Sequence, residues 1–177
     1  MKPIALLVLP FVLGACATSS HSSLANPRVV RAASDAQRSV LVERVKALAG
    51  TWEGKADEGV LQNVFSVGSG GSAVREIMFP GTPHEMTNMY HMDGDSLVMT
   101  HYCAMGNQPR MRASVGPNPD EIRFEFDGVS NLRAPDEMYM GSMTLTIIDQ
   151  DHIRETWQHY VKGVKGDPTV FELTRKR

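Results

Sequence analysis

The sequence predicts an all-β protein: an up-and-down antiparallel barrel of about ten strands preceded by one amphipathic helix. Three observations carry this. Beyond Gly50 the apolar residues alternate with polar ones at period two, turn-forming residues recur at roughly ten-residue intervals, and the connections are too short for crossovers between parallel strands. With 177 residues, 42% hydrophobic, 21% charged and a formal net charge of -2, the chain suits one globular domain. A pI near 6.3 and the absence of any block of like charges exclude a nucleic-acid binder.

Residues 1–15 read as an export signal, in which Lys2 gives the positive start, an apolar run covers 4–13, and Gly14 and Ala15 follow. That run is interrupted by Pro10 and is about half the roughly 20 apolar residues a membrane-spanning helix needs. Leu13-Gly14-Ala15-Cys16 resembles the bacterial lipobox. The resemblance implies that Cys16 becomes the first mature residue, acylated on its thiol and its amino group, and more than one chain anchors stably. Ala17 after the cysteine implies the outer membrane of a bacterial envelope, with the protein facing the periplasm. The expected organisation is a lipoprotein signal peptide over 1–15, lipidated Cys16 and a Ser/Ala-rich flexible tether over 16–33, and the helix plus barrel over 34–177. Cys103 is then the sole cysteine of the domain, so stability rests on a core and not on a disulfide.

Ser34 opens the helix as N-cap, with Asp35 in the first turn, Val40, Leu41, Val45 and Leu48 on one stripe, and Gly50 as the stop. The strands are expected at 51–57, 60–67, 72–79, 85–92, 96–104, 109–115, 121–127, 139–148, 152–161 and 169–175. Turn chemistry separates them: Gly68-Ser69-Gly70-Gly71, Pro80-Gly81-Thr82-Pro83, Asp93-Gly94, Gly116-Pro117-Asn118-Pro119, Asp127-Gly128, Asp149-Gln150-Asp151 and the stretch 163–168. Asp93-Gly94 is the clearest hairpin signal, read as the centre of a type I′ turn. Ile122, Phe124 and Phe126 alternate with Arg123, Glu125 and Asp127, giving one buried and one solvated face; Met143, Leu145 and Ile147 repeat the pattern. Closing such a sheet removes its exposed edges.

Gly50-Thr51-Trp52 and the late arginine Arg175 resemble the calycin superfamily of lipocalins and fatty-acid-binding proteins. The resemblance implies that Trp52 plugs one barrel end and Arg175 stacks across it as a cation-π pair. The run 101–111 (His101-Tyr102-Cys103-Ala104-Met105-Gly106-Asn107-Gln108-Pro109-Arg110-Met111), with 48–54, is similar to a family of bacterial secreted lipocalin-like proteins from which no chemistry carries over. The strand count resembles fatty-acid-binding and nitrobindin-like barrels more than eight-stranded lipocalins, although no motif matches the nitrobindin haem-binding histidine.

His101 and Cys103 share a strand face. With Asp93-Gly94 as the turn, Met86 pairs with His101 and His84 with Cys103, which would bring His84, His101 and Cys103 together as soft metal ligands or as a thiol-imidazole site. Eleven methionines allow two readings: thioether ligands for copper, around Met138, Met140 and Met143, or adaptable filler of an apolar interior. Trp157 shares a face with Ile153, Glu155 and His159 and reads as a wall residue, while Phe124 points inward. Asn107, Gln108 and Arg110 follow the fifth strand, where a barrel mouth could use them to hold a ligand's polar end. Glu121, Glu125 and Asp127 lie on a solvated face and make a poor catalytic pair.

These residues lead to one expectation: a membrane-anchored periplasmic barrel binding a small hydrophobic or amphipathic ligand in a Met- and aromatic-lined interior. No cofactor and no catalytic residue is assigned. The alternatives are a thiol/His-dependent enzyme, a copper- or haem-handling barrel, and a structural envelope lipoprotein.

Overall fold

The computed structural model describes residues 29–56, 59–114 and 116–177; the expected signal segment, Cys16 and the tether as far as residue 28 lie outside them. Period-two alternation becomes ten strands: β1 Gly50–Ala56, β2 Gly59–Gly68, β3 Ala73–Met78, β4 Met86–Asp93, β5 Ser96–Tyr102, β6 Gln108–Ala113, β7 Glu121–Ser130, β8 Tyr139–Ile147, β9 His152–Val161 and β10 Val164–Arg175. Each pairs antiparallel with the next, and β10 returns to β1, closing the barrel. The closing seam is short, with Trp52 opposite Arg175 and Glu53 opposite Thr174. Beyond it β1 passes so near β10 that a Cβ on Gly54 would stand 2.6 Å from the Glu172 carbonyl oxygen. Among the described residues no helix is long and apolar enough to cross a membrane.

Two short helices, α1 Asp35–Val40 and α2 Val42–Lys46, replace the single helix expected. Ser34 and Gln37 form a reciprocal capping box at the start of α1. The break falls at Leu41 (φ -120°, ψ -89°), between two β-branched valines that resist helical packing. Burial decides the outcome: Leu41, Val42, Val45 and Leu48 all face the barrel, whereas Val40, expected on the stripe, is 41% exposed. These residues cover the end of the barrel where Trp52 lies buried and donates its indole N–H to the Leu48 carbonyl at 2.8 Å. The Arg175 guanidinium stands 4.3 Å from the Trp52 ring centre and donates to the carbonyls of Ala47, Ala49 and Gln150. One side chain thus ties the last strand to the helix end and the first strand.

Four expectations are corrected. Asp93 does not sit inside the hairpin turn but pairs with Ser96, leaving Gly94 (φ 63°) and Asp95 as the two loop residues. Its carboxylate is held on the barrel wall by Arg112 at 2.7 Å and Arg110 at 3.3 Å, which makes it the last residue of β4. Asp127-Gly128 is no turn either: β7 continues to Ser130 through a bulge opposite Arg110 and Met111, with Gly128 at φ 147°. The stretch 163–168 is mostly strand, because Lys162-Gly163 makes the turn and a register shift between Lys165 and Pro168 accommodates the proline that cannot donate. Phe126 shows 47% exposure; it lies past Phe124–Met143, the last pair joining β7 to β8, and packs on Tyr139 with ring centres 5.2 Å apart.

The two barrel ends differ. The helices close one, and the loops 79–85, 103–107 and 131–138 with the 162–163 turn form the rim of the other. Between them the axis is filled, Tyr90, Met99, Met111, Phe124, Met143 and Trp157 each being at most 2% exposed. A ligand was expected in the Met- and aromatic-lined interior; close packing of those same side chains fills it.

Candidate functional site

The apolar filling is interrupted by one connected polar cluster. Asn63 on β2, Glu76 on β3, Asn88 and Tyr90 on β4, His101 on β5, and Glu155 and Trp157 on β9 all point inward and are buried. Strand register builds it, because Glu76 lies opposite Asn88, and Asn88 opposite His101, making a row across three strands. Along that row Asn88 Nδ2 donates to Glu76 Oε2 at 2.7 Å, and Asn88 Oδ1 lies 2.7 Å from His101 Nδ1.

Since the Asn88 oxygen can only accept, His101 carries its proton on Nδ1, and Nε2 keeps a lone pair. Burial pulls the His101 pKa down to about 4, so the ring is neutral over the physiological range. Its ring centre is 4.9 Å from that of Trp157, whose indole N–H donates to Glu155 Oε2 at 3.0 Å. Three donors converge on Glu76, namely Asn63 Nδ2, Asn88 Nδ2 and the Tyr90 hydroxyl at 2.6–2.7 Å, which suits a carboxylate. Glu155 touches Glu76, and burial together with that neighbouring carboxylate pushes its pKa well up, so it retains its proton. Burial, then the two glutamates, raise the Tyr90 hydroxyl as well.

Among the described residues no lysine or arginine is buried with the pair. Two acceptor atoms of the cluster have no donor, Asn63 Oδ1 and His101 Nε2, while the proton that Glu155 retains is shared with Glu76. An orphaned buried polar group of this kind costs about 1–3 kcal/mol.

At the rim the cluster borders a depression of about 530 Å³ lined by Leu61, Phe79, Pro80, Thr82, His84 and Phe171, among others. Leu61 is two residues from Asn63 on the same face of β2, and Phe171 lies directly opposite Glu155. At Phe171 the depression thus reaches the row of Glu155, and at Leu61 it lies one inward-facing position from Asn63. Phe79 adopts a left-handed backbone (φ 55°), uncommon for a bulky side chain and held by its N–H to the Gln62 carbonyl and by Thr82 on its own carbonyl. That conformation sets its ring edge-on to Phe171, with centres 5.5 Å apart.

Of the residues singled out from the sequence, His101, Phe124 and Trp157 meet inside the barrel. Cys103 lies at the rim, where its backbone closes the β5–β6 loop with Asn107 and Gly106. Asn107 is buried and donates to the Met138 carbonyl, and Gln108 bonds Gly106 and Ser130, so both hold loops together. Arg110 is not at the mouth but on the outer wall, paired with Asp93 and Asp127. The proposed His84, His101 and Cys103 trio does not converge: the hairpin register lies two residues from the one expected, His101 faces Asn88, and His84 stands exposed in the 79–85 loop. Among the described residues no group of three His, Cys, Asp or Glu side chains is placed to hold a metal ion.

The sequence reading missed Asn63, Glu76, Asn88 and Tyr90, and it placed Glu155 on the inward face without a role. Their signal was legible: Leu61-x-Asn63-x-Phe65, Val74-x-Glu76-x-Met78 and Ile153-x-Glu155-x-Trp157 each set a polar residue among the apolar partners of one strand face.

No family model matches the chain, and no curated protein matches it. Among solved structures, the crystal structure of Rv2717c from M. tuberculosis is similar with a TM-score of 0.53 at 17% identity, covering 77% of this chain and 97% of that one. The likeness is one of fold.

Proposed function

We propose that this chain is a binding protein for a small apolar or amphipathic molecule. The observation that carries this reading is the depression at the rim, about 530 Å³ and walled by Leu61, Phe79 and Phe171, which suits a ligand of modest size. The left-handed Phe79 supports it, because backbone strain of this kind concentrates where a ligand is clamped. The unpaired acceptors of the neighbouring cluster, Asn63 Oδ1 and His101 Nε2, are partners for a polar group.

A thiol-imidazole enzyme is the weaker reading, because a base with pKa about 4 accepts a proton poorly at neutral pH. Lipidation at Cys16 extends the proposal to a carrier on the periplasmic face of a bacterial outer membrane. Val30 and Arg31 lie beside Gly94 at the helix-covered end, so an anchor upstream would join the domain from that side. Native mass spectrometry with an absorption spectrum, on protein purified gently and without chelator, tests the reading. A retained mass of a few hundred daltons is the expected result. A clean apo mass, together with failure to take up any apolar probe, overturns it.

A further inference from the structure

Resting on that reading, we propose that the ligand is a linear amphiphile that lies through a slot in the barrel wall, between the β1–β2 hairpin and β10, with its chain in the rim depression and its polar end in a second depression outside. The slot follows from the pairing. β1 meets β10 at Trp52–Arg175 and Glu53–Thr174, whereas β9 runs beside β10 all the way from Val164 to Thr174. Gly54 still packs against Glu172 and Leu173; from there back to Val164, β10 has no strand on its β1 side among the described residues. A depression of about 500 Å³ lies against the outside of this edge, lined by Lys55, Val60, Val170, Glu172 and Thr174, among others. It meets the rim depression there, because Val60 lines both and the consecutive residues Val170 and Phe171 line one each. Successive strand residues point to opposite faces, so one strand's thickness separates the two.

A free strand edge is a template for pairing with another chain, and proteins that leave one open guard it. β10 is guarded by Pro168, which has no N–H to offer, and by the register shift between Lys165 and Pro168. The edge is thereby kept from another strand while staying open to a small molecule. Chemistry grades across it. Leu61, Phe79, Pro80 and Phe171 give the inner side an apolar lining, and the outer side sets Lys55, Glu172 and Thr174 beside Val60 (69% exposed) and Val170 (47% exposed). An apolar chain belongs inside and a polar end outside, with the two exposed valines covered where the chain crosses. Both signs of charge stand on the outer side, where Glu172 pairs with Arg154 and Glu53 with Lys176, so an uncharged or zwitterionic end fits. Shape selects the class: a flexible chain bends from one depression into the other, whereas a rigid fused-ring molecule fills the rim side alone.

The test uses the full chain and two probes: n-decylphosphocholine, linear and zwitterionic, kept below its micelle concentration, and progesterone, a rigid fused-ring molecule. With amide resonances followed by NMR, decylphosphocholine is expected to shift Leu61 and Phe171 on the inner side and Lys55 and Thr174 on the outer side along one saturation curve. Progesterone is expected to shift the inner pair alone. Val60→Trp and Val170→Trp each narrow the slot from an exposed position, and each is expected to weaken decylphosphocholine at least about tenfold while leaving progesterone within about twofold. Decylphosphocholine shifts confined to the inner pair, or unchanged affinity in both variants, overturn the slot and leave the carrier reading intact. Concentration-dependent pairing of chains that either variant abolishes also overturns it, because the edge would then belong to a second copy. Failure of both probes to bind overturns both readings. Should progesterone alone fail, the decylphosphocholine shifts and the two variants decide.

Discussion

The neutral, buried His101 makes a quantitative prediction about acid stability. Its imidazole has a pKa near 6.5 in an unfolded chain and about 4 in the fold, a gap of about 2.5 units at about 1.36 kcal/mol each. The sign follows from proton counting. Below about pH 6.5 the unfolded chain binds a proton that the folded ring refuses until about pH 4, so the contribution is intact above 6.5 and is lost as pH falls through that window. The loss by pH 4 is about 3 kcal/mol. The Glu155 carboxyl, reached through Trp157, is also shifted, so the comparison needs a variant that keeps it. His101→Gln does: its amide can still donate to Asn88 Oδ1 but takes up no proton. Urea unfolding of both proteins at half-unit steps from pH 8 to 4 should show the original losing about 3 kcal/mol more than the variant. Parallel pH profiles would refute the reasoning, because they would mean that His101 accepts its proton in the fold as readily as in the unfolded chain.

Further outcomes follow from the same geometry. Glu155→Gln keeps an acceptor for Trp157 and a donor toward Glu76 without binding a proton, so it should stabilise the protein, by an amount that grows as pH rises from acid to neutral, because the unfolded chain releases the Glu155 proton that the fold retains; a flat pH difference in denaturation midpoints would count against it. Gly54→Ala should cost about 1–3 kcal/mol, since its methyl would strike the Glu172 carbonyl oxygen, a backbone atom that cannot swing aside; an unchanged melting temperature would show that β1 and β10 can part at the seam without cost. Arg175→Ala should lose about 2 kcal/mol or more, of which the stack on Trp52 is about 0.5–2, and should shift Trp52 emission. Arg175→Lys should not restore it, because an ammonium cannot reach three carbonyls while lying over the ring.

The local elements of this protein were legible in its sequence because they rest on local physics. Alternation such as Ile122-x-Phe124, the caps at Ser34 and the turn residues act over a few positions, and ten strands of a meander with short links have one simple order in which to pair. Register was another matter. The β4–β5 hairpin slid by two residues because Arg110 and Arg112, from β6, hold Asp93 on the wall, and nothing within the hairpin announces that pull. That slip took His101 away from Met86 and set it against Asn88. The polar cluster depends on closure still more, since Asn63 meets Glu155 across 92 positions of chain, and neither the upward shift of Glu155 nor the downward shift of His101 exists until the barrel has excluded water from both. The sequence by itself determined that a barrel forms and which faces are apolar; only the closed tertiary structure decided which buried polar groups face one another, because that is set by register and desolvation, which no stretch of chain carries alone.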